Sequence, residues 1–189
     1  MDKIDLIKKF QFGDVDSFEQ LYKIYSKKAF GSAYLISGDK DIAEDIVQET
    51  FFQCFKEIKK LKEPLAFDVW FYKTLVRYAW KISAKHKKTI PLEDIDYESL
   101  SSEMDYRETK LMLDQAIEKL SPSLKTVIIL YYFNDMSIKE ISKILGCFQG
   151  TVKSRLYNAK KALKKVLVES EIEAFYKEIN GIKECKVND

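Results

Sequence analysis

The chain has 189 residues, enough for one ordinary domain or two small ones. Its residues are 46% hydrophobic and 33% charged, with six glycines and three prolines. This composition excludes a collagenous, low-complexity or wholly disordered chain and favours helices. The net charge is +2, so the chain as a whole is neither strongly basic nor strongly acidic.

Apolar residues recur at helical spacing along most of the chain, and no segment alternates as a strand does. In chain order, the spacing predicts helices over about 16–37, 40–60, 68–85, 107–120, 121–133, 137–145 and 149–168. Gly38-Asp39 and Asn134-Asp135 predict turns, and the proline-containing segment 61–67 predicts a loop. Ser121-Pro122 is typical of a helix start, with a hydroxyl N-cap followed by proline. The sequence therefore predicts an all-α protein.

Charge divides the chain into blocks. Residues 1–88 carry +4, residues 89–106 carry −6, residues 107–168 carry +7 and residues 169–189 carry −3. We predict two small helical domains (1–88 and 107–168), joined by an acidic linker (89–106) and followed by a tail that includes a short helix. The basic blocks indicate either a polyanion partner or two solvated lysine-rich surfaces.

Cysteine and histidine usage limits the chemistry. Cys54, Cys147 and Cys185 show no CxxC spacing, and His86 is the single histidine. A disulfide scaffold, a structural zinc site and most histidine-dependent catalysis are therefore poor interpretations, and a reducing cytoplasm fits better. No apolar run approaches the roughly 20 residues that span a bilayer, and the acidic start is unlike a signal peptide.

Residues 137–160 have helix-turn-helix spacing. Ser137 and Glu140 form a capping-box pattern, and Gly146 ends the first helix. The apolar residues placed to fix the crossing are Ile141, Leu145, Val152 and Leu156. The second helix carries Thr151, Lys153, Ser154, Arg155, Asn158, Lys160 and Lys161, with no acid from 150 to 168. Such a helix suits the major groove of DNA, and the alternative is a helical hairpin with a wet lysine face.

Two earlier helices carry further patterns. The third has basic residues at four-residue spacing, interleaved with aromatic ones: Lys73, Arg77, Lys81 and Lys85, with Trp70, Phe71, Tyr72, Tyr78 and Trp80. This combination suits single-stranded DNA, although most of the aromatic residues are expected in the core. The second has an apolar face that is expected in the core, formed by Ile42, Ile46, Val47, Phe51, Cys54, Phe55 and Ile58. It also presents an acidic face of Asp41, Glu44, Asp45, Gln48 and Glu49. That face is either a solvated surface or a partial cation site without further ligands.

Three stretches resemble one family. LSPSLKTVIILYYFNDMSIKEISKILGCFQGTVKSRLYNAKKALKKVL (121–167) closely resembles region four of the extracytoplasmic-function (ECF) sigma factors of bacterial RNA polymerase. DIAEDIVQETFFQCFKEI (41–58) and FDVWFYKTLVRYAWKI (67–82) resemble region two of the same family. The motifs occur in the family's order and are separated by a linker of suitable length. The resemblance covers roughly residues 10–168.

The resemblance implies three sets of site residues. Asp45, Gln48 and Glu49 would contact core RNA polymerase. Trp70, Lys73, Arg77 and Lys81 would bind the minus-ten promoter element, with the 61–67 loop capturing an extruded base. Thr151, Lys153, Ser154, Arg155, Tyr157 and Asn158 would contact the minus-thirty-five element. The chain departs from the family pattern in both regions. Phe148 stands where a Ser or Pro cap is usual, and Asn158, in place of a basic residue, would favour adenine. In the third helix, Lys81 replaces a frequent Asp, and Ser83-Ala84 replaces the usual Leu-Arg pair.

The resemblance also implies how the protein works. It would direct core polymerase to promoter DNA without catalysis, cofactor, metal or small-molecule substrate, under an anti-sigma factor that in this family can be membrane-tethered. The alternatives are a stand-alone helix-turn-helix regulator, a metal enzyme using the 41–49 carboxylates, and a helical interaction scaffold. The regulator would not need the motifs in 41–82.

Overall fold

The computed structural model describes the backbone of residues 2–86 and 116–166. The predicted linker 89–106, residues 107–115 of the predicted helix 107–120 and the tail 169–189 lie outside these ranges. Within the described part of that helix, residues 116–118 are helical. The described residues contain helices and no strand, which confirms the all-α prediction. Within these ranges, no helix combines the length and apolarity needed to cross a bilayer.

Four helices form the N-terminal half: α1 (Lys3–Gln11), α2 (Val15–Ser37), α3 (Lys40–Glu57) and α4 (Phe67–His86). The last three match prediction, except that α3 ends in a 3-10 turn over Ile58–Lys60. A second 3-10 turn, Pro64–Ala66, lies in the predicted loop. Helix α1 was not predicted, and it buries Leu6, Ile7 and Phe10. Gly38 adopts the left-handed conformation (φ 76°), which ends α2 as the sequence indicates.

From residue 119 to the end of the described range, the C-terminal half contains three helices: α5 (Pro122–Ile128), α6 (Ile138–Leu145) and α7 (Gln149–Val166). A π-helical turn, Ile129–Phe133, continues α5. Pro122 occupies the first turn as predicted, but the prediction that the Ser121 hydroxyl caps the helix was wrong. That hydroxyl lies 3.5 Å from the Ser123 hydroxyl instead. The extended backbone at Ser121 and the fixed φ of proline are enough to start the helix.

Aromatic rings fill the N-terminal core. The Phe71 ring is completely buried and lies 5.0–5.9 Å, between centroids, from the rings of Tyr25, Phe51, Phe67 and Tyr72. Such pairs add stability beyond the area they bury. The prediction that Phe55 faces the core was wrong, because 52% of this residue is exposed. Its ring packs instead on Phe18, at 5.2 Å, along the edge of the core.

The two halves pack directly against each other. Asn134 Nδ2 donates to Ser32 Oγ at 2.8 Å, and Trp80 Nε1 donates to Thr126 Oγ1 at 3.0 Å. Gly31 lets the Phe133 ring approach α2 closely, because a Cβ there would lie 2.6 Å from the ring. Helix α4 also contacts α6. The described residues therefore share one continuous hydrophobic core.

Candidate nucleic-acid and protein interfaces

Local signals fix the start and end of α6. Ser137 Oγ accepts from the Glu140 backbone N–H at 3.3 Å, and Glu140 Oε2 accepts from the Ser137 N–H at 2.9 Å. This reciprocal capping box satisfies two helix-end donors. Gly146 adopts the left-handed conformation at the other end (φ 62°). Both predicted features are confirmed, and together they set where α7 can begin.

The predicted crossing between α6 and α7 is also observed. Ile141 and Val152 are completely buried, and Leu156 is nearly so. Leu145 is half-buried and packs at the margin of the same cluster. Because residues at spacings of three and four share one helix face, burying Val152 and Leu156 turns the opposite side of α7 towards solvent.

That solvent-facing side carries most of the predicted DNA contacts. Lys153, Ser154, Tyr157 and Asn158 are exposed, with Tyr157 exposed by 68%. Thr151 and Arg155 are half-buried at the edge of the same side. One guanidinium nitrogen of Arg155 lies 4.0 Å from the Cys147 sulfur, which orients the side chain towards the turn before α7. All six predicted residues therefore reach one solvent-facing surface.

Helix α4 presents the predicted basic stripe. Lys73, Arg77 and Lys81 are exposed. The Arg77 guanidinium lies 5.2 Å from the centroid of the Tyr78 ring, and Lys81 Nζ lies 5.9 Å from it. Cation–π contacts of this length are worth about 0.5–1 kcal/mol at exposed sites. The Tyr78 ring therefore helps hold two of the three cations on one surface.

The aromatic residues of α4 divide between core and surface. Phe71 is in the core, as expected. Trp70 is half-buried, with its ring 5.8 Å from that of Phe67. Trp80 is 37% exposed, but its indole N–H is bound to Thr126 of the other half. Trp70 is thus partly open to solvent, and the N–H of Trp80 is engaged between the halves.

The predicted polymerase-contact residues of α3 do not share one environment. Asp45 and Gln48 are exposed, whereas Glu49 is half-buried. Glu49 Oε1 accepts from Gln53 Nε2 at 3.2 Å. Burial raises the pKa of Tyr78, and a hydrogen bond to the Glu49 carboxylate raises it further, with Arg77 acting in the opposite direction. Glu49 is therefore partly covered and bonded within α3, while Asp45 and Gln48 face solvent.

Two large apolar side chains extend the exposed face of α3. Phe52 is 58% exposed and Phe55 is 52% exposed. They follow Gln48 at spacings of four and seven, so the three lie on one face of the helix. The exposure of Phe52 and Phe55 was not predicted. Their spacing from Gln48 indicates an exposed position, but Phe55 also fits the spacing of the buried apolar face, so its position was ambiguous from sequence.

No three His, Cys, Asp or Glu side chains in residues 2–86 and 116–166 lie close enough together to hold a metal ion. The surfaces present are a basic stripe on α4, an outward-facing recognition helix α7, and a mixed acidic and aromatic face on α3. These features define a helical DNA-binding protein with a separate surface for a protein partner.

Comparison with known proteins identifies the family. The sigma-70 region 2 model matches residues 21–88, and the sigma-70 region 4 model matches residues 110–163. RNA polymerase sigma factor SigV of Bacillus subtilis is 35% identical over 136 residues, which cover 71% of this chain and 81% of that protein. ECF RNA polymerase sigma factor SigW of the same species is 29% identical over 179 residues, covering 85% and 94%. The chain belongs to the ECF subfamily of sigma-70 RNA polymerase sigma factors, which are transcription initiation factors rather than enzymes.

Solved structures share the fold. CnrH, determined in complex with the cytosolic domain of CnrY, matches with a TM-score of 0.70 at 18% identity, covering 87% of this chain and 96% of CnrH. The sigma factor RpoE from Bartonella quintana, determined in complex with the anti-sigma factor NepR, matches with a TM-score of 0.65 at 21% identity, covering 79% and 95%.

Proposed function

We propose that the chain directs core RNA polymerase to promoters through three surfaces, with α7 on the minus-thirty-five element, α4 on the minus-ten strand and α3 on the polymerase. The single observation that carries the proposal is the outward face of α7. Its buried side is fixed by the capped helix-turn-helix, and its free side bears Lys153, Ser154, Tyr157 and Asn158. Short polar side chains on such a helix read base edges, and lysines neutralise phosphates.

The minus-ten role of α4 is supported by its exposed cations. A phosphate backbone could reach three exposed cations on this helix, Lys73, Arg77 and Lys81. The Tyr78 ring contacts the last two and restrains their positions. Trp70, which is half-buried, is proposed as a stacking contact for a base. The loop before α4 is proposed to capture an extruded base, for which stacking and pocket contacts would offset a few kcal/mol of unstacking.

The polymerase surface is proposed to be Asp45, Gln48, Phe52 and Phe55. Charged groups at the rim of such an interface steer and orient the partner, and aromatic side chains contribute most of the binding free energy. Glu49 is half-buried beside Gln53, and it is proposed as a contact at the edge of the same surface. Variants meant to probe polymerase contact are therefore better placed at Asp45 and Gln48.

Binding both promoter elements requires the two halves to separate. The elements lie about 25 base pairs apart, roughly 85 Å along the duplex. In the described arrangement α4 packs against α6, and packed helices lie only about 8–10 Å apart. We therefore include in the proposal that the contacts between the halves break on the promoter.

The remaining features of the proposal concern organisation and control. The domain limits are 1–88 and 107–168, with the linker 89–106 between them and a tail from 169. The protein would act in the cytoplasm and catalyse nothing itself, because strand opening draws on binding energy. Control by an anti-sigma factor is supported by the solved neighbour RpoE of Bartonella quintana, which was determined with the anti-sigma factor NepR.

The proposal is tested by selection from a library of random promoters. Core polymerase plus this chain would transcribe the library, and the transcribed templates would be sequenced. We expect two enriched elements at a fixed spacing, both dependent on the core enzyme. A single enriched element that the chain binds without polymerase would support the stand-alone regulator and contradict the proposal.

A further inference from the structure

Helix α1 spans the loop that separates α3 from α4. At one end of α1, Gln11 Nε2 donates to the Leu61 carbonyl oxygen at 2.5 Å and to that of Ile58 at 3.4 Å. At the other end, Lys3 Nζ pairs with Asp68 Oδ2 at 2.7 Å. A helix of nine residues is about 13 Å long. The two ends of one short helix thus hold the entry and the exit of the same loop.

The loop is fixed at both margins and open between them. Ile58, Leu61 and Phe67 are nearly completely buried. Asp68, one residue beyond the loop, also accepts a hydrogen bond from the Tyr25 hydroxyl. The exposed residues between these margins are Lys62, Glu63, Leu65 and Ala66, with Leu65 exposed by 77%. The outer surface of the loop is therefore free for a ligand while its margins are held.

The bond from Gln11 restrains the backbone specifically. The Ile58 carbonyl also accepts from the Leu61 N–H at 3.0 Å, which closes the 3-10 turn. The Gln11 amide therefore joins that turn to the first residue after it. A hydrogen bond to a main-chain carbonyl fixes the direction of the backbone irrespective of the side chains in the loop.

We propose that α1 is a brace for the base-capturing loop, and that Gln11 is its main positioning residue. The inference rests on the proposed function, in which the 61–67 loop takes an extruded base. A loop already held in its bound conformation loses less entropy on binding and discriminates more sharply than a mobile one. Gln11 would not touch the base, and its effect would be transmitted through the Leu61 carbonyl.

The test compares Gln11→Met, which removes the donor but keeps the length of the side chain, with Gln20→Met, the same change at an exposed position of α2. Amide hydrogen exchange of the free proteins is measured first. The Leu61 and Ala66 amides are hydrogen-bonded within the loop, and their exchange is expected to rise about fivefold in Gln11→Met and to stay unchanged in Gln20→Met. Unchanged exchange in Gln11→Met would overturn the brace without any reference to DNA.

The second measurement uses holoenzyme and a 12-nucleotide single strand selected by wild type from a random pool. Each nucleotide is replaced in turn by an abasic site, and the position where wild type loses most affinity marks the captured base. The loss at that position is expected to shrink about fivefold in Gln11→Met, with the other positions and core affinity unchanged. Wild-type discrimination in Gln11→Met, or an equal loss at every position, would overturn the role of Gln11.

The abasic-site measurement on the wild-type protein tests base capture by the loop separately from the role of Gln11. If no abasic substitution weakens wild-type binding, base capture itself is wrong, and the role of Gln11 in it falls as well. If Gln11→Met does not fold, Lys3→Met tests the other end of α1, because the Lys3–Asp68 pair is partly exposed. Lys3→Met is expected to reduce discrimination at the captured-base position, by less than the roughly fivefold effect expected for Gln11→Met. Wild-type discrimination in Lys3→Met would overturn the proposal that α1 braces the loop.

Discussion

The two halves place their functional side chains by different means. In the C-terminal half, a capping box and a left-handed glycine set where α6 begins and ends, so α7 follows at a fixed point. In the N-terminal half, the surfaces of α3 and α4 depend on an aromatic core built from four helices. Sequence-local signals therefore define the recognition helix, whereas tertiary packing defines the α3 and α4 surfaces.

The largest expected effect lies in the aromatic core. Phe71→Ala removes a completely buried ring and is expected to cost about 4 kcal/mol of unfolding free energy. Phe52→Ala, at a residue that is 58% exposed, is the matched control and should cost less than about 1 kcal/mol. Denaturant titration measures both. A loss below about 1.5 kcal/mol for Phe71→Ala would show that the N-terminal half does not depend on this core.

The local signals of the C-terminal half are tested by one substitution at two glycines. Gly146→Ala forces an L-residue into the left-handed region (φ 62°) and should cost about 1–2 kcal/mol. Gly150→Ala lies within α7, where a Cβ meets open space, and should stabilise by about 0.5 kcal/mol or more. Thermal unfolding gives both values. Equal signs for the two changes would contradict the role given to Gly146.

The contact between the halves is tested by a double-mutant cycle. Ser32→Ala and Asn134→Ala are expected to couple by about 1 kcal/mol, because either change removes the 2.8 Å hydrogen bond between the two side chains. The exposed pair Lys28 and Asp135, at 3.8 Å, should couple by less than about 0.5 kcal/mol in a cycle of Lys28→Met and Asp135→Asn. Absence of coupling between Ser32 and Asn134 would mean that the halves are not held together in solution.

A buried lysine distinguishes the C-terminal half. Lys125 is 7% exposed, and among the described residues no other charged side chain is buried. Burial lowers its pKa, with Glu118 opposing the shift. Lys125→Met is therefore expected to raise stability, by up to about 1 kcal/mol, whereas the exposed control Lys119→Met should change little. Differential scanning calorimetry at pH 7 measures the difference, and a destabilised Lys125→Met would contradict the cost assigned to the buried charge.

The pH dependence of that difference follows from the direction of the pKa shift. The folded-state pKa of Lys125 is lowered, so the destabilisation is fully present below the folded value. As pH rises from the folded value towards the unfolded one, the unfolded state binds more protons and wild-type stability increases. The gain from Lys125→Met should therefore narrow in the alkaline range. A stability difference between Lys125→Met and wild type that widens at alkaline pH would contradict the lowered pKa of Lys125.

Much of the fold could be predicted from sequence because its signals are local. Helices α2 and α4 begin within one residue of prediction, and α6 and α7 begin where the capping box and Gly146 place them. Helix α1 was missed although Leu6 and Phe10 are four residues apart, because a nine-residue pattern between charged residues is weak on its own. Its stability comes from burial against α2 and the α3–α4 loop.

The exposure of the predicted site residues could be inferred from sequence only where the periodicity of a single helix determines it. On α7, burial of Val152 and Leu156 fixes the opposite face, and the predicted residues reach it. On α3, Glu49 turns towards Gln53 and Tyr78, and Phe55 faces outward. Both outcomes depend on which neighbour α3 meets, and helical periodicity carries no such information.

The central claim is that α3 presents the polymerase-binding surface, and gel filtration with core RNA polymerase tests it most directly. The wild-type chain should co-elute with the core enzyme, and Asp45→Lys combined with Gln48→Ala should abolish co-elution without unfolding. Asp16→Lys combined with Gln20→Ala, an equal charge change on exposed residues of α2, should leave co-elution intact. Undiminished co-elution of the α3 variant would contradict the account, as would tight duplex binding by a wild-type chain that ignores polymerase.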